Sequence, residues 1–219
     1  IFLIPIFILA CGQEANHKKA NNNEVHYIKT HHSNGQLDSE GEVLNGQPNG
    51  LWKFYYKDGN KESETHYLKG LRHGKSTRWH ANGTVQGKGE YKKGEIEGTW
   101  EAYFDNGQFK KVFTVIDGKM HGNYTEYYTS GKVMKKGVMD NDNAIGEWFT
   151  YYETGELKSL IVFGKTKGEC FVTIFYNDGN KQREGNYIDY DKEHGKWKYW
   201  NEQGELTNEI VYENGLIKE

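Results

Sequence analysis

The chain has 219 residues, of which 35% are hydrophobic, 15% aromatic and 27% charged, with a formal charge of −3 at pH 7. Aromatics thus form nearly half of the apolar residues, unlike the Leu-, Ile- and Val-rich core of an ordinary globular domain of this length. Lys and Glu are interspersed throughout and no basic stripe occurs, so nucleic acid is not an expected partner.

The chain opens on an apolar run, Ile1 to Ala10, followed by Cys11 and Gly12. Such a run is too short to cross a hydrocarbon core of about 30 Å as a helix. It fits the apolar core of a secretory signal peptide, and residues 1–10 are expected to be the remnant of one. Ile8-Leu9-Ala10-Cys11 resembles the bacterial lipobox, which implies cleavage before Cys11 and lipidation of its sulfur. An ordinary signal peptide or a buried strand is the alternative. Residues 11–24 carry the anchor Cys11 and a polar, Asn-rich stretch that reads as a flexible tether. With Cys11 lipidated, Cys170 is left alone, so a packed thiol is expected there and no intramolecular disulfide.

Residues 25–219 repeat. Gly35, Gly59, Gly83, Gly107, Gly131, Gly155 and Gly179 stand 24 residues apart, and Gly204 follows after 25. A period in this range marks a repeat architecture, here of eight units. Seven residues before each turn Gly stand Ile28, Trp52, Ser76, Trp100, Tyr124, Trp148, Val172 and Trp197. Four before it stand His31, Tyr55, Trp79, Tyr103, Tyr127, Tyr151, Phe175 and Trp200. Such aromatic segments bounded by Gly, Asn and Asp read as strands. Asp58-Gly59, Asn82-Gly83, Asn106-Gly107 and Asp178-Gly179 are expected to form tight hairpin turns with positive φ.

Past each turn, the columns led by Leu37, Lys61 and Phe109 and by Val43, Tyr67 and Val115 lie at even offsets, which predicts one shared face. Between them, Gly41, Gly89, Gly137 and Gly185 alternate with Thr65, Phe113, Ile161 and Ile210, a second period of two repeats. A bulky neighbour is expected to fill the space over each Gly. Every unit is therefore a β-hairpin and a second turn, giving an all-β array of about 16 strands and about 75 Å. No stretch has sustained helical periodicity. The fifth and seventh units are irregular at Asp140–Ala144, ahead of Gly179 and at Ile188–Glu193, where bulges or longer loops are expected.

Catalytic chemistry is hard to place. His73, His121 and His194 each precede a repeat-start Gly. His73 and His121 would lie about 19 Å apart, too far to share a metal whose ligand bonds are near 2 Å. Asp140-Asn141-Asp142-Asn143 lacks the Gly and Glu of a calcium loop. No nucleophile elbow, P-loop or zinc-protease motif occurs, so no enzyme, metal or cofactor is expected.

The pattern carried by Tyr91, Gly94, Gly98, Trp100, Tyr103 and Gly107 resembles the MORN-repeat-variant family, whose bacterial members include antitoxin-like proteins of the YwqK type and many lipoproteins. The resemblance covers roughly Tyr27 to Gly215. It implies a tandem β-hairpin solenoid forming an extended, twisted single-layer antiparallel sheet that contacts proteins or lipids. The candidate binding surface is Trp52, Tyr55, Trp79, Trp100, Tyr103, Tyr127, Trp148, Tyr151, Trp197 and Trp200, since Tyr and Trp make good anchors where they stay partly exposed. The expected role is a lipid-anchored interaction or scaffold module of the bacterial cell envelope, at the periplasmic or outer-membrane face. Cys11 would hold it to the membrane, and an envelope or extracellular protein would be its partner. Direct binding of membrane lipid or glycan through the aromatics, and an antitoxin-like or immunity role, are the alternatives.

Overall fold

The structure, a computed structural model, describes residues 24–189 and 191–218. The signal-peptide and Cys11 assignments, and the tether up to residue 23, lie outside the described residues. Among the described residues every regular element is a strand. The strands are β1 Val25–His31, β2 Leu37–Leu44, β3 Gln47–Tyr55, β4 Lys61–Leu68, β5 Leu71–Trp79, β6 Val85–Lys92, β7 Glu95–Tyr103, β8 Phe109–Ile116 and β9 Lys119–Tyr127. They continue as β10 Val133–Asp140, β11 Asn143–Tyr151, β12 Leu157–Phe163, β13 Cys170–Phe175, β14 Lys181–Ile188, β15 Lys192–Trp200, β16 Leu206–Glu213 and β17 Leu216–Ile217. The repeat period thus yields its hairpins, with the two-residue β17 added. Each strand pairs antiparallel with the next in sequence. The result is one open, twisted meander without a second layer among the described residues.

The expected tight turns with a positive-φ Gly are present, and the two edges of the sheet use different kinds. In the turn after β3, Gly59 N–H donates to Tyr56 O at 2.9 Å and Tyr56 N–H to Asn60 O at 2.8 Å. Only Gly59 takes positive φ there; Asp58 instead accepts from Asn60 N–H at 2.9 Å. This is a three-residue loop with a left-handed glycine, not a two-residue turn. The two-residue turns lie on the opposite edge, at Asn45-Gly46, Lys69-Gly70, Lys93-Gly94 and Asp117-Gly118, where both central residues have positive φ. Asn141-Asp142 makes the same turn (φ 48° and 65°), so the fifth repeat is uninterrupted. In the seventh repeat the extra residues form a loop over 164–169, and the β12–β13 register carries no bulge.

Two recurrent bulges set the faces. Between Phe54 and Tyr55 the register slips by one residue, so Phe54 faces Ser63 and Tyr55 faces Lys61. The slip puts Lys61, Val85 and Phe109 on the face opposite Tyr67, Tyr91 and Val115, against the alternation expected from their even offsets. Phe109 accordingly stacks on Tyr103, centroids 4.8 Å apart, while Phe113 pairs with Trp100. The second bulge falls at the repeat-start glycines; Gly50 has φ 73° and lies where three residues of β3 oppose Gly41 alone.

That bulge lets a Trp lie over a Gly. A Cβ on Gly41 would stand 2.5–2.6 Å from Cδ2, Cε2 and Cγ of Trp52, and Gly89, Gly137 and Gly185 lie likewise under Trp100, Trp148 and Trp197. The space over each Gly is therefore filled, as expected, by the Trp of the following strand. Trp52, Trp148 and Trp197 are 6%, 5% and 0% exposed and, with Val115 and Val172, are the buried apolar side chains among the described residues, spread along the sheet. Their indole N–H groups donate to the carbonyls of Glu42, Val138 and Asn186 at 2.8–3.1 Å.

Successive repeats are also tied along the loop edge. Tyr56, Tyr128, Tyr152 and Tyr176 hydroxyls donate to the carbonyls of Trp79, Tyr151, Phe175 and Trp200 at 2.7–2.9 Å. His32 and His80 meet the carbonyls of Tyr55 and Tyr103 in the same way. Contacts of this nearest-neighbour kind stabilise an array that has no central core.

Candidate functional site

The sheet has two faces, and the ten aromatics singled out in the sequence divide between them. Trp52, Trp100, Trp148 and Trp197 share one face. Tyr55, Trp79, Tyr103, Tyr127, Tyr151 and Trp200 follow three residues later in their strands and point the other way. The expected array is therefore not a single surface. On the Trp face, Trp52, Trp148 and Trp197 are buried as core, and Trp100 is half-buried.

On the opposite face the six form one half-buried row along the loop edge, with Lys61, Val85, Phe109, Val133, Leu157 and Lys181 between them. Phe109 bridges Tyr103 and Tyr127, with centroids 4.8 and 5.7 Å away. Lys61 and Lys181 lie over the rings of Trp79 and Trp200 at 5.0 and 5.4 Å. Such cation–π contacts hold the lysine stems along the rings.

Beside this row runs a second, whose chemistry changes along the sheet. At one end it reads Lys29, Glu40, Lys53 and Glu64 on successive strands, a ladder of opposite charges. At the other end it reads Glu184, Lys198 and Glu209. Its middle passes through Val112, Thr125, Lys136, Phe149, Leu160 and Thr173. A third row adds Val138, Ile145, Val162 and Phe171, which are 38%, 41%, 36% and 39% exposed. The face is thus mainly apolar over β10–β13, broken by Lys136 and by the exposed Glu147 opposite Val162, and charged towards both ends.

The charged ends bear on the aromatic row. The Tyr55 hydroxyl donates to Glu40 at 2.8 Å. Burial, and then this bond to a carboxylate, push the Tyr55 phenol up to about 12. The same bond, with Lys29 at 3.1 Å, holds Glu40 below the usual carboxylate range. Tyr103 donates likewise to Glu101, whose carboxyl is lowered by that bond and by Lys88 at 3.0 Å. These phenols are locked as donors, so the ring faces and edges are what they offer to a partner. Cys170, on the Trp face, is half-buried and its thiol is raised by burial, which suits a packed side chain.

Sequence reasoning missed Phe149, Leu160, Val162 and Phe171. The signal was the run Ser159-Leu-Ile-Val-Phe163, which is apolar at consecutive positions and so dresses both faces of its strand. Among the described residues no group of three or more His, Cys, Asp and Glu is arranged to hold a metal.

Five segments, residues 48–69, 72–93, 120–141, 145–165 and 193–214, match the family model described as MORN repeat variant. No curated protein matches the chain. Among solved structures, "Crystal Structure of TcdB2-TccC3-Cdc42" and "Crystal Structure of TcdB2-TccC3" are similar at 12% and 11% identity, each with a TM-score of 0.20. Each match covers 86% of this chain, but the chain spans only 14% of the matched one. A TM-score of that size is below what marks a shared fold.

Proposed function

We propose a protein-binding function for this chain, which belongs to the MORN-repeat-variant family. The observation that carries the reading is the apolar centre of the Tyr face. Val138, Ile145, Val162 and Phe171 stand exposed around Phe149 and Leu160, with Lys136 and Glu147 set among them and charged rows to either side. A domain ordinarily buries an apolar sheet face against a second layer. This sheet has none among its described residues, and clustered exposed apolar side chains edged by polar and charged groups are the anatomy of an interaction site. The half-buried Tyr127 and Tyr151 flank the patch and supply rigid aromatic anchors. The partner is a protein of the bacterial envelope or the extracellular space, and lipid on Cys11 would hold the array at the membrane while residues 11–24 give it reach.

The test is a cross-linked pull-down from native cells, with a C-terminal tag and Cys11 intact, read by mass spectrometry. One stoichiometric protein partner is expected. It should be lost in Val162→Asp/Phe171→Asp, whose side chains are exposed enough to change without unfolding the sheet. Recovery of lipid or glycan alone would refute the reading and favour direct envelope binding.

A further inference from the structure

The Trp face holds a cavity of about 490 Å³ between Trp52 and Trp100. Volumes of this order are those of small-molecule sites, about 300–1,000 Å³. Its walls are Phe54, Tyr67, Tyr91 and Trp100, and its rim carries Glu62, Arg72, Arg78 and Gln86. The chain has three arginines, Arg72, Arg78 and Arg183, and two of them stand here. The buried floor is Thr65 and Ser76, whose hydroxyls bond each other at 2.8 Å.

The cavity lies where one unit departs from the two-repeat period and where Ser63, Gly87 and Ala102 line the neighbouring row. Across the strands the central row of this face runs Trp52, Thr65, Ser76, Gly89, Trp100. The next interval runs Trp100, Phe113, Tyr124, Gly137, and the one after it Trp148, Ile161, Val172, Gly185. Bulky pairs narrow the later intervals, where a smaller hollow of about 310 Å³ lies beside Tyr124 and Ile161, and the first is left wider.

The walls are equipped beyond what packing needs. Trp100 is the half-buried one of the four Trp on this face, and among the described residues it makes no indole bond of the kind made by Trp52, Trp148 and Trp197. Its ring leans instead over Gly87, where a Cβ would lie 3.4 Å from Nε1. Both a ring and an N–H donor therefore border the cavity. Arg72 lies over the Tyr91 ring at 4.1 Å and donates to its hydroxyl at 2.9 Å. Arg78 donates to Glu62 at 2.8 Å. Among the described residues Arg72 has no carboxylate partner, so the lining carries one unbalanced positive charge, fixed in position by Tyr91.

We propose that this cavity binds an acidic saccharide, one or two pyranose rings bearing a carboxylate. The C–H face of a pyranose packs on the ring of Trp100 or Tyr91, as aromatic side chains accept such surfaces. Ring hydroxyls both donate and accept, which matches a rim holding Glu62, Gln86, Arg78 and Ser63 together. A purely apolar guest would leave those groups desolvated without partners, at a cost. The carboxylate takes Arg72, whose planar fork suits bidentate pairing. The site lies on the face opposite the apolar patch, so it stands or falls independently of the protein-binding reading.

The experiment is isothermal titration of the full chain with dimers of galacturonate, glucuronate and mannuronate, with their neutral hexose counterparts, and with inorganic phosphate. At least one uronate dimer should bind and quench Trp fluorescence. Arg72→Gln should weaken it about ten- to a hundredfold, the loss of a charged hydrogen bond. Thr65→Gly/Ser76→Trp installs the Gly–Trp pair of the alternate repeats in the cavity. It should abolish binding while keeping the strand content and thermal midpoint. Binding of no uronate, equal binding of neutral dimers or phosphate, or full binding by the filled variant would each overturn the proposal.

Discussion

Gly41→Ala isolates the packing rule that organises the Trp face. Gly41 sits in ordinary strand conformation, outside the left-handed region. At such a site Ala should stabilise by about 0.4–1 kcal/mol, because it narrows the unfolded chain. The structure dictates the reverse sign. The new methyl would lie 2.5 Å from Cδ2 of Trp52, where carbon–carbon contact is comfortable at about 3.5–4.0 Å. The indole must tilt or β2 must move by about 1 Å to reach that distance. Overpacking of this kind costs about 1–3 kcal/mol. Tilting also strains the Trp52 Nε1–Glu42 O bond of 2.8 Å, worth about 1 kcal/mol. We expect a net loss of about 2–3 kcal/mol. Trp52→Ala alone should cost about 3–5 kcal/mol. The double variant should cost no more than Trp52→Ala, since no ring remains to collide, giving a coupling of about 2 kcal/mol. Urea unfolding followed by far-UV circular dichroism measures all three, with amide exchange in β2 and β3 locating the loss. A neutral or stabilising Gly41→Ala, or additive losses in the double variant, would refute the Gly–Trp account.

Other perturbations probe the ties between repeats and the charged row. Tyr152→Phe removes the 2.8 Å bond to Phe175 O and should cost about 1 kcal/mol. Phe104 occupies the equivalent position without a hydroxyl, so Phe104→Tyr should gain about 0.5–1 kcal/mol in the same urea titration. Lys93 holds φ 53° in a two-residue turn; Lys93→Asn should raise the thermal midpoint, because Asn tolerates that conformation better. The folded carboxyl of Glu101 lies below its unfolded value of 4.5. Its contribution is therefore fully present above pH 4.5 and is lost as pH falls through the lower folded value. Glu101→Gln should make the urea midpoint less sensitive to pH between 5 and 3, and an unchanged acid slope would count against the Tyr103–Glu101–Lys88 cluster.

Much of this architecture was legible because the repeat is read eight times over. The glycine period, the aromatic columns and the lack of helical periodicity led directly to hairpins in series. What stayed hidden was parity. Trp52 and Tyr55 are three residues apart and so face opposite ways, yet both present themselves in sequence as members of one aromatic block. The bulge opposite Tyr55 has no marker in residue type, and it turned Lys61 and Phe109 to the face away from Tyr67 and Val115. Turn chemistry misled for a related reason. Asp58-Gly59 and Lys69-Gly70 both end in a left-handed Gly, but only the second needs positive φ at its first residue. Dipeptide identity alone favours the wrong one.

The two candidate sites share a logic that follows from having no central core. Where each unit leans only on its neighbours, a departure from the pattern is felt over about one repeat on either side, and the rest of the array is indifferent to it. Thr65 and Ser76 could therefore replace a bulky pair without unfolding the sheet, and their hydroxyls satisfy each other at 2.8 Å where the ring would have been. Phe149 and Leu160 could likewise replace the charges of the flanking ladder. Neither departure is required by the fold, since other repeats of the same chain manage without it. Amide exchange gives this argument a direct check. Filling the cavity with Thr65→Gly/Ser76→Trp should slow exchange in β4–β6 and leave β12–β16 unchanged, whereas a change spread over the whole sheet would mean that the repeats are coupled beyond their neighbours and that the departures are structural after all.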